Sequence, residues 1–70
     1  MSRSELAAAL RQMREAAGMT TDQASAALGR NRGTVEFYEA AIRLPKTSTL
    51  MKLAAIYGYK MRISFERKAS

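Results

Sequence analysis

The sequence predicts a small, mainly α-helical bundle that ends in one short β-strand. Three observations carry this. Apolar residues recur at three- and four-residue spacing as far as Tyr57, and the helical runs begin at capping residues and stop near a glycine or the lone proline. After Gly58 the spacing changes to two. Seventy residues suffice for one domain with one small core. Residues 1–58 hold the helices, and residues 59–70 form the strand and tail of the same domain.

The first helix is expected from Ser4, a good N-cap, to about Ala17, with Leu6, Leu10, Met13 and Ala17 on one apolar stripe and Gly18 as a left-handed C-cap. Thr20-Thr21-Asp22-Gln23 has the form of a capping box, so a short second helix runs from about Thr21 to Leu28, with Ala24, Ala27 and Leu28 inward. Gly29 stops it. Asn31 is the next N-cap, for a third helix over about Arg32 to Ala40, with Val35, Tyr38 and Ile42 on one side, spaced three and four apart, expected to join the core. Pro45 forces an extended link. Thr47 or Ser48 then caps a fourth helix through Tyr57, burying Leu50, Leu53, Ala54 and Tyr57.

Met61, Ile63 and Phe65 alternate with Arg62, Ser64 and Glu66, the pattern of a half-buried strand. No second strand exists in the chain to pair with it. The simplest partner is the same strand of a second copy, which makes an antiparallel ribbon across a homodimer axis. The alternatives are a frayed tail or a strand that forms only with another protein. Dimerisation also suits a core this small, because the chain has no Cys and no His, and so neither disulfides nor the usual zinc sites to reinforce it.

The net charge is +6, and from Ala40 onward Arg43, Lys46, Lys52, Lys60, Arg62, Arg67 and Lys68 face a single acid, Glu66. This favours a polyanionic partner. The apolar runs are far too short for a membrane span, and the N-terminus lacks the pattern of a signal peptide. The expectation is a cytoplasmic protein without membrane association. Catalysis is poorly supported: there is no His or Cys, the carboxylates are scattered, and no Gly-rich phosphate loop is present. No cofactor, metal or small-molecule substrate is expected.

Two short helices joined by a tight turn on a cationic chain point to double-stranded DNA. On a helical wheel Gly33, Glu36 and Phe37 face outward from the third helix, flanked by Arg32 and Thr34. Arg32 suits a bidentate contact with guanine, or a phosphate. Gly33 permits close backbone approach, or is simply a weak helix position. Thr34 can meet a thymine methyl or a phosphate. Glu36 can accept from cytosine, or be neutralised by Arg32 one turn earlier. Phe37 can touch thymine methyls, or pack on the neighbouring loop. Thr20, Thr21, Arg30, Asn31, Arg43 and Lys46 are the candidate phosphate contacts, and Met61, Ile63 and Phe65 the candidate dimer residues.

The segment REAAGMTTDQASAALGRNRGTVEFYEAAIRLPKTSTLMKLAAIYG, Arg14 to Gly58, resembles the lambda-repressor-like, or XRE/Cro-type, helix-turn-helix family. The resemblance rests on Arg14, Gly18, Thr20, Leu28-Gly29, Arg32, Thr34-Val35 and Glu39, followed by Pro45, Leu50, Leu53-Ala54 and Gly58. It implies a bundle of four or five helices, base contacts from early in the third helix, and a structural ion pair between Arg14 and Glu39. Four positions depart from the family pattern. Thr21 replaces a Gln, Ser25 replaces a small Ala, Ala41 replaces a Gly, and a strand stands where a fifth helix is customary. Ala at 41 would strain a left-handed turn, so the loop there should differ or the helix run longer. The strand ending resembles Cro-type phage repressors and DNA-binding antitoxins.

The expected function is that of a transcriptional repressor, autoregulatory and related to phage or mobile elements, including regulators of anti-CRISPR operons. It would bind a palindromic operator as a dimer. The alternatives are an antitoxin with a toxin partner, or a protein-interaction module acting through its C-terminal strand.

Overall fold

A computed structural model describes residues 1–69. It contains four helices: α1 (Arg3–Ala16), α2 (Thr21–Ala27), α3 (Thr34–Glu39) and α4 (Thr47–Ile56). The core gathers Leu10 from α1, Ala24 from α2, Val35 and Tyr38 from α3, and Leu53 and Tyr57 from α4 and its end. Leu6, Met13, Met19, Leu28, Leu50 and Ile56 pack around them. Three residues expected in the core fall outside it: Ala17, the C-cap of α1, and Ala27, on the outer side of α2, are exposed, as is Ile42 beyond α3.

α1 begins two residues earlier than expected. Ser2, not Ser4, is the N-cap, because only Ser2 has Glu5 at the third helical position. The Glu5 amide donates to Ser2 Oγ at 3.1 Å and the Ser2 amide donates to Glu5 Oε1 at 3.2 Å, which satisfies two helix-end donors reciprocally. The capping box at Thr20 is formed as the sequence pattern indicates, with Gln23 as the reciprocal partner at 3.0 and 2.9 Å.

α3 is shorter than its sequence pattern. Gly33 adopts φ 92°, a left-handed conformation that glycine alone enters without a Cβ penalty, so the helix starts at Thr34 and not at Arg32. Asn31 therefore caps nothing. Its carbonyl accepts from the Thr34 amide at 3.2 Å and closes a turn. α4 begins at Thr47, two residues after Pro45, with the extended Lys46 at the N-cap position, so neither Thr47 nor Ser48 is its cap.

α3 ends at Glu39, and the family-type left-handed turn is kept with Ala41 at φ 61°, so the helix does not run longer. The Phe37 carbonyl accepts from the amides of Ile42 and Arg43 at 3.1 and 3.2 Å, which folds the loop back over α3. That reversal leaves Ile42 69% exposed and outside the core.

No strand forms among the described residues. Met61 is half-buried and lines a shallow groove with Leu6, Met13, Leu50 and Ala54, whereas Phe65 is 93% exposed. The reason is the one visible in the sequence: an alternating segment makes a ladder only against a second strand. Among the described residues, no helix is long and apolar enough to cross a membrane.

Candidate nucleic-acid interface

α2, the turn through Gly29 and Gly33, and α3 form a helical hairpin whose far side is fixed to α1. Arg14 reaches from α1 and grips Glu39 at the end of α3: Nε donates to Oε2 at 2.7 Å and Nη2 to Oε1 at 3.0 Å. Nη1 donates to the Met19 carbonyl at 2.8 Å, so one guanidinium ties α1, the α1–α2 loop and α3 together. Both side chains are largely buried, at 13% and 8% exposure. The hydrogen bond to Glu39 raises the Arg14 pKa further, so the guanidinium stays charged. Behind it, Tyr57 buries its hydroxyl without a hydrogen-bond partner. Burial, helped by the Glu39 carboxylate, pushes its pKa up to about 12.

Ser25 is the second fixed point. It is fully buried, and its Oγ accepts from the Val35 amide at 3.1 Å. Gly33 offers no side chain to cap α3, so a residue of α2 satisfies a donor in the first turn of α3. Ser25, which departs from the lambda-repressor-like pattern, thus has a defined role in this chain.

On the opposite, solvent side the structure brings together Thr21, Asp22, Arg32 and Glu36. Thr21 Oγ1 donates to Glu36 Oε1 at 3.3 Å. Arg32 Nε lies 3.0 Å from Asp22 Oδ2, with 86% of the Arg32 side chain and 48% of the Asp22 side chain exposed. Arg32 therefore pairs with Asp22 across the hairpin and not with Glu36 one turn away, because it sits in the turn before α3 and not on the helix. Next to this cluster the Arg43 guanidinium lies 5.6 Å from the ring centroid of Phe37, which is 45% exposed.

The remaining expected contacts divide. Arg30, Asn31, Lys46 and Thr20 are exposed, although the Thr20 amide is already engaged in its capping box. Thr34 is buried at 7% exposure and is withdrawn from the surface that Arg32, Glu36 and Phe37 share. Gly33 shapes the turn and lies outside the helix. Asp22 was not among the residues singled out from the sequence. An acid in the first turn of a helix looks like an ordinary dipole partner, and only the hairpin geometry places it beside a residue ten positions later.

The exposed cluster sits at the start of the second helix of a two-helix hairpin, where side chains can enter a major groove. A family model described as a helix-turn-helix domain matches residues 5–60, which takes in nearly all of α1 and the whole of α2 to α4. The chain belongs to the helix-turn-helix domain family. Membership points to DNA as the partner and to transcriptional regulation as the class of function. The tail beyond residue 60 lies outside the match. No curated protein and no solved structure matches the chain significantly.

Proposed function

We propose that this protein is a sequence-specific, double-stranded-DNA-binding transcriptional repressor that works in the cytoplasm as a homodimer on a palindromic operator. It has no catalytic role and needs no cofactor. The observation that carries this reading is the exposed cluster at the start of α3: Arg32 and Glu36 present polar groups, Phe37 an apolar one, and Arg30, Arg43 and Lys46 surround them with positive charge. Arg32 and Glu36 are chemically suited to guanine and cytosine edges, Phe37 to thymine methyls, and the surrounding cations to phosphates. Such a domain represses by occupying a promoter. The lambda-repressor-like, XRE/Cro-type resemblance adds autoregulation and a phage or mobile-element setting.

The homodimer reading rests on the tail. Ile63 and Phe65 are 54% and 93% exposed, and pairing their segment with its copy would cover them and satisfy its backbone. The same exposed residues support a second reading, an antitoxin or interaction module whose tail adds a strand to a partner protein's sheet.

Selection of bound sites from a random DNA pool, followed by titration across salt, separates these readings. Operator binding by two copies, each with several phosphate contacts, weakens roughly 10³-fold between about 50 and 200 mM salt. Arg32→Ala lowers operator affinity about tenfold or more and flattens the preference at one base pair of each half-site. Binding that ignores salt, or an unchanged preference in Arg32→Ala, would overturn the assignment. Sedimentation of Ile63→Asp tests the ribbon: the variant runs as a monomer, and a persistent dimer would exclude the tail as its interface.

A further inference from the structure

We infer that Asp22 is a positioning residue for base readout: it holds Arg32 by Nε and thereby aims the outer edge of the guanidinium, Nη1 and Nη2, at a guanine. The inference rests on the DNA-binding reading above and goes beyond it, since it assigns a specificity role to a side chain that acts through Arg32 and not by its own contact with DNA.

The geometry is specific. A guanidinium in the turn before α3 is attached to a flexible stem and can swing to a phosphate, which would add affinity without reading sequence. The ion pair at 3.0 Å is made through Nε, the nitrogen nearest the stem. Arg32 nevertheless keeps 86% of its side chain in solvent, so its outer nitrogens stay open to a ligand. Those two nitrogens form the planar fork that matches guanine O6 and N7. The carboxylate also accounts for one of two acids, Asp22 and Glu36, on a surface that otherwise favours anions. A negative charge there opposes phosphate binding in general, so its presence needs a local return, and orientation of Arg32 supplies one. Thr21, holding Glu36 at 3.3 Å, does the parallel task one residue earlier on α2. Two adjacent residues of α2 thus each restrain one polar side chain at the start of α3.

The test uses the full chain, wild type and the variants Asp22→Ala, Asp22→Glu, Arg32→Ala and the double Asp22→Ala/Arg32→Ala. Each is titrated against the selected operator, against copies with 7-deazaguanine at one guanine at a time, and against unrelated duplex of equal length. Wild type loses about tenfold in affinity when the guanine read by Arg32 lacks N7. Asp22→Ala loses most of that discrimination yet binds unrelated duplex more tightly, and Asp22→Glu restores part of the discrimination. In the Arg32→Ala background the Asp22 change leaves discrimination unaltered. A DNA-free readout accompanies these: the Arg32 Nε resonance in 15N-edited NMR shifts between wild type and Asp22→Ala.

Three results would overturn the inference. The first is full sensitivity to 7-deazaguanine retained in Asp22→Ala. The second is tighter operator binding by that variant with sharper discrimination, which would make Asp22 a competitor of DNA and not a guide. The third is a change of discrimination by Asp22→Ala that is equal with and without Arg32. Failure of wild type to bind any duplex, with the Nε shift still present, would instead mark the DNA-binding reading as the part that fell.

Discussion

Two arginine–carboxylate pairs cross this small domain, and they differ in almost every physical respect. Arg14–Glu39 is bidentate, largely buried, and further tied to a backbone carbonyl. Arg32–Asp22 is made through one nitrogen and is mostly in solvent. Both connect the α3 region to another element, one at each end of that helix. The buried pair has lost its water and is stable only while complete, so it fixes where α3 sits. The exposed pair keeps its water, contributes little to folding, and leaves the outer nitrogens of the arginine open to a ligand. Burial separates an arginine that builds the site from one suited to act in it.

The sharpest way to break the comparison is at the buried pair. Arg14→Ala leaves the Glu39 carboxylate buried and uncompensated, and should cost about 3 kcal/mol or more in urea denaturation. That is a large share of the stability of a domain this small. The double Arg14→Met/Glu39→Leu should recover part of the loss, since it removes both charges together.

A second effect lies behind the same pair. The raised Tyr57 pKa means that the folded state holds the phenolic proton more tightly than the unfolded chain does. Its contribution is fully present below the ordinary value of 10 and is lost as pH rises toward about 12. Thermal melts should therefore fall across that window. Tyr57→Phe should flatten the part due to this group, and it removes the unpartnered hydroxyl at the same time.

Ala41 joins the two regions, since it lies between Glu39 of the buried pair and Arg43 beside Phe37. Its φ of 61° is costly for a residue with a Cβ. Ala41→Gly relieves that strain but adds freedom to the unfolded chain, for a net gain of about 0.5–1 kcal/mol by denaturation. Asp22→Asn should be the smallest change, within about 0.5 kcal/mol of wild type. A larger loss would mean that the exposed pair is structural after all, and the contrast with Arg14–Glu39 would collapse.

The sequence made the helices legible because their signals are local. Thr20 with Gln23, and the stripes through Leu10, Val35 and Leu53, fixed four helices in order. Boundaries were less readable where two signals competed: Ser4 resembled a cap, but Glu5 selects Ser2, and Asn31 resembled a cap, but Gly33 takes the left-handed position that sets the start of α3. The outward placing of Arg32, Glu36 and Phe37 was legible in the helical spacing, and the structure exposes all three. Thr34 was misplaced because moving the start of α3 by two residues changes which positions are buried. Asp22 and Ser25 act through neighbours ten residues away, and such pairings have no signature in a single sequence. At Met61 to Phe65 no strand forms, because alternation in a sequence marks a face while a ladder needs a second strand that the described residues do not supply.

The cap that Ser25 gives to Val35 has a consequence for how the domain folds. A six-residue helix is far below the length that can hold itself together in water. Because Gly33 has no side chain and the donor is satisfied from α2, α3 cannot exist as an independent unit that forms first and docks later. It appears only when the hairpin closes and disappears when the hairpin opens. The surface proposed to meet DNA is therefore all-or-none: a partly unfolded molecule has no loose α3 through which to bind weakly.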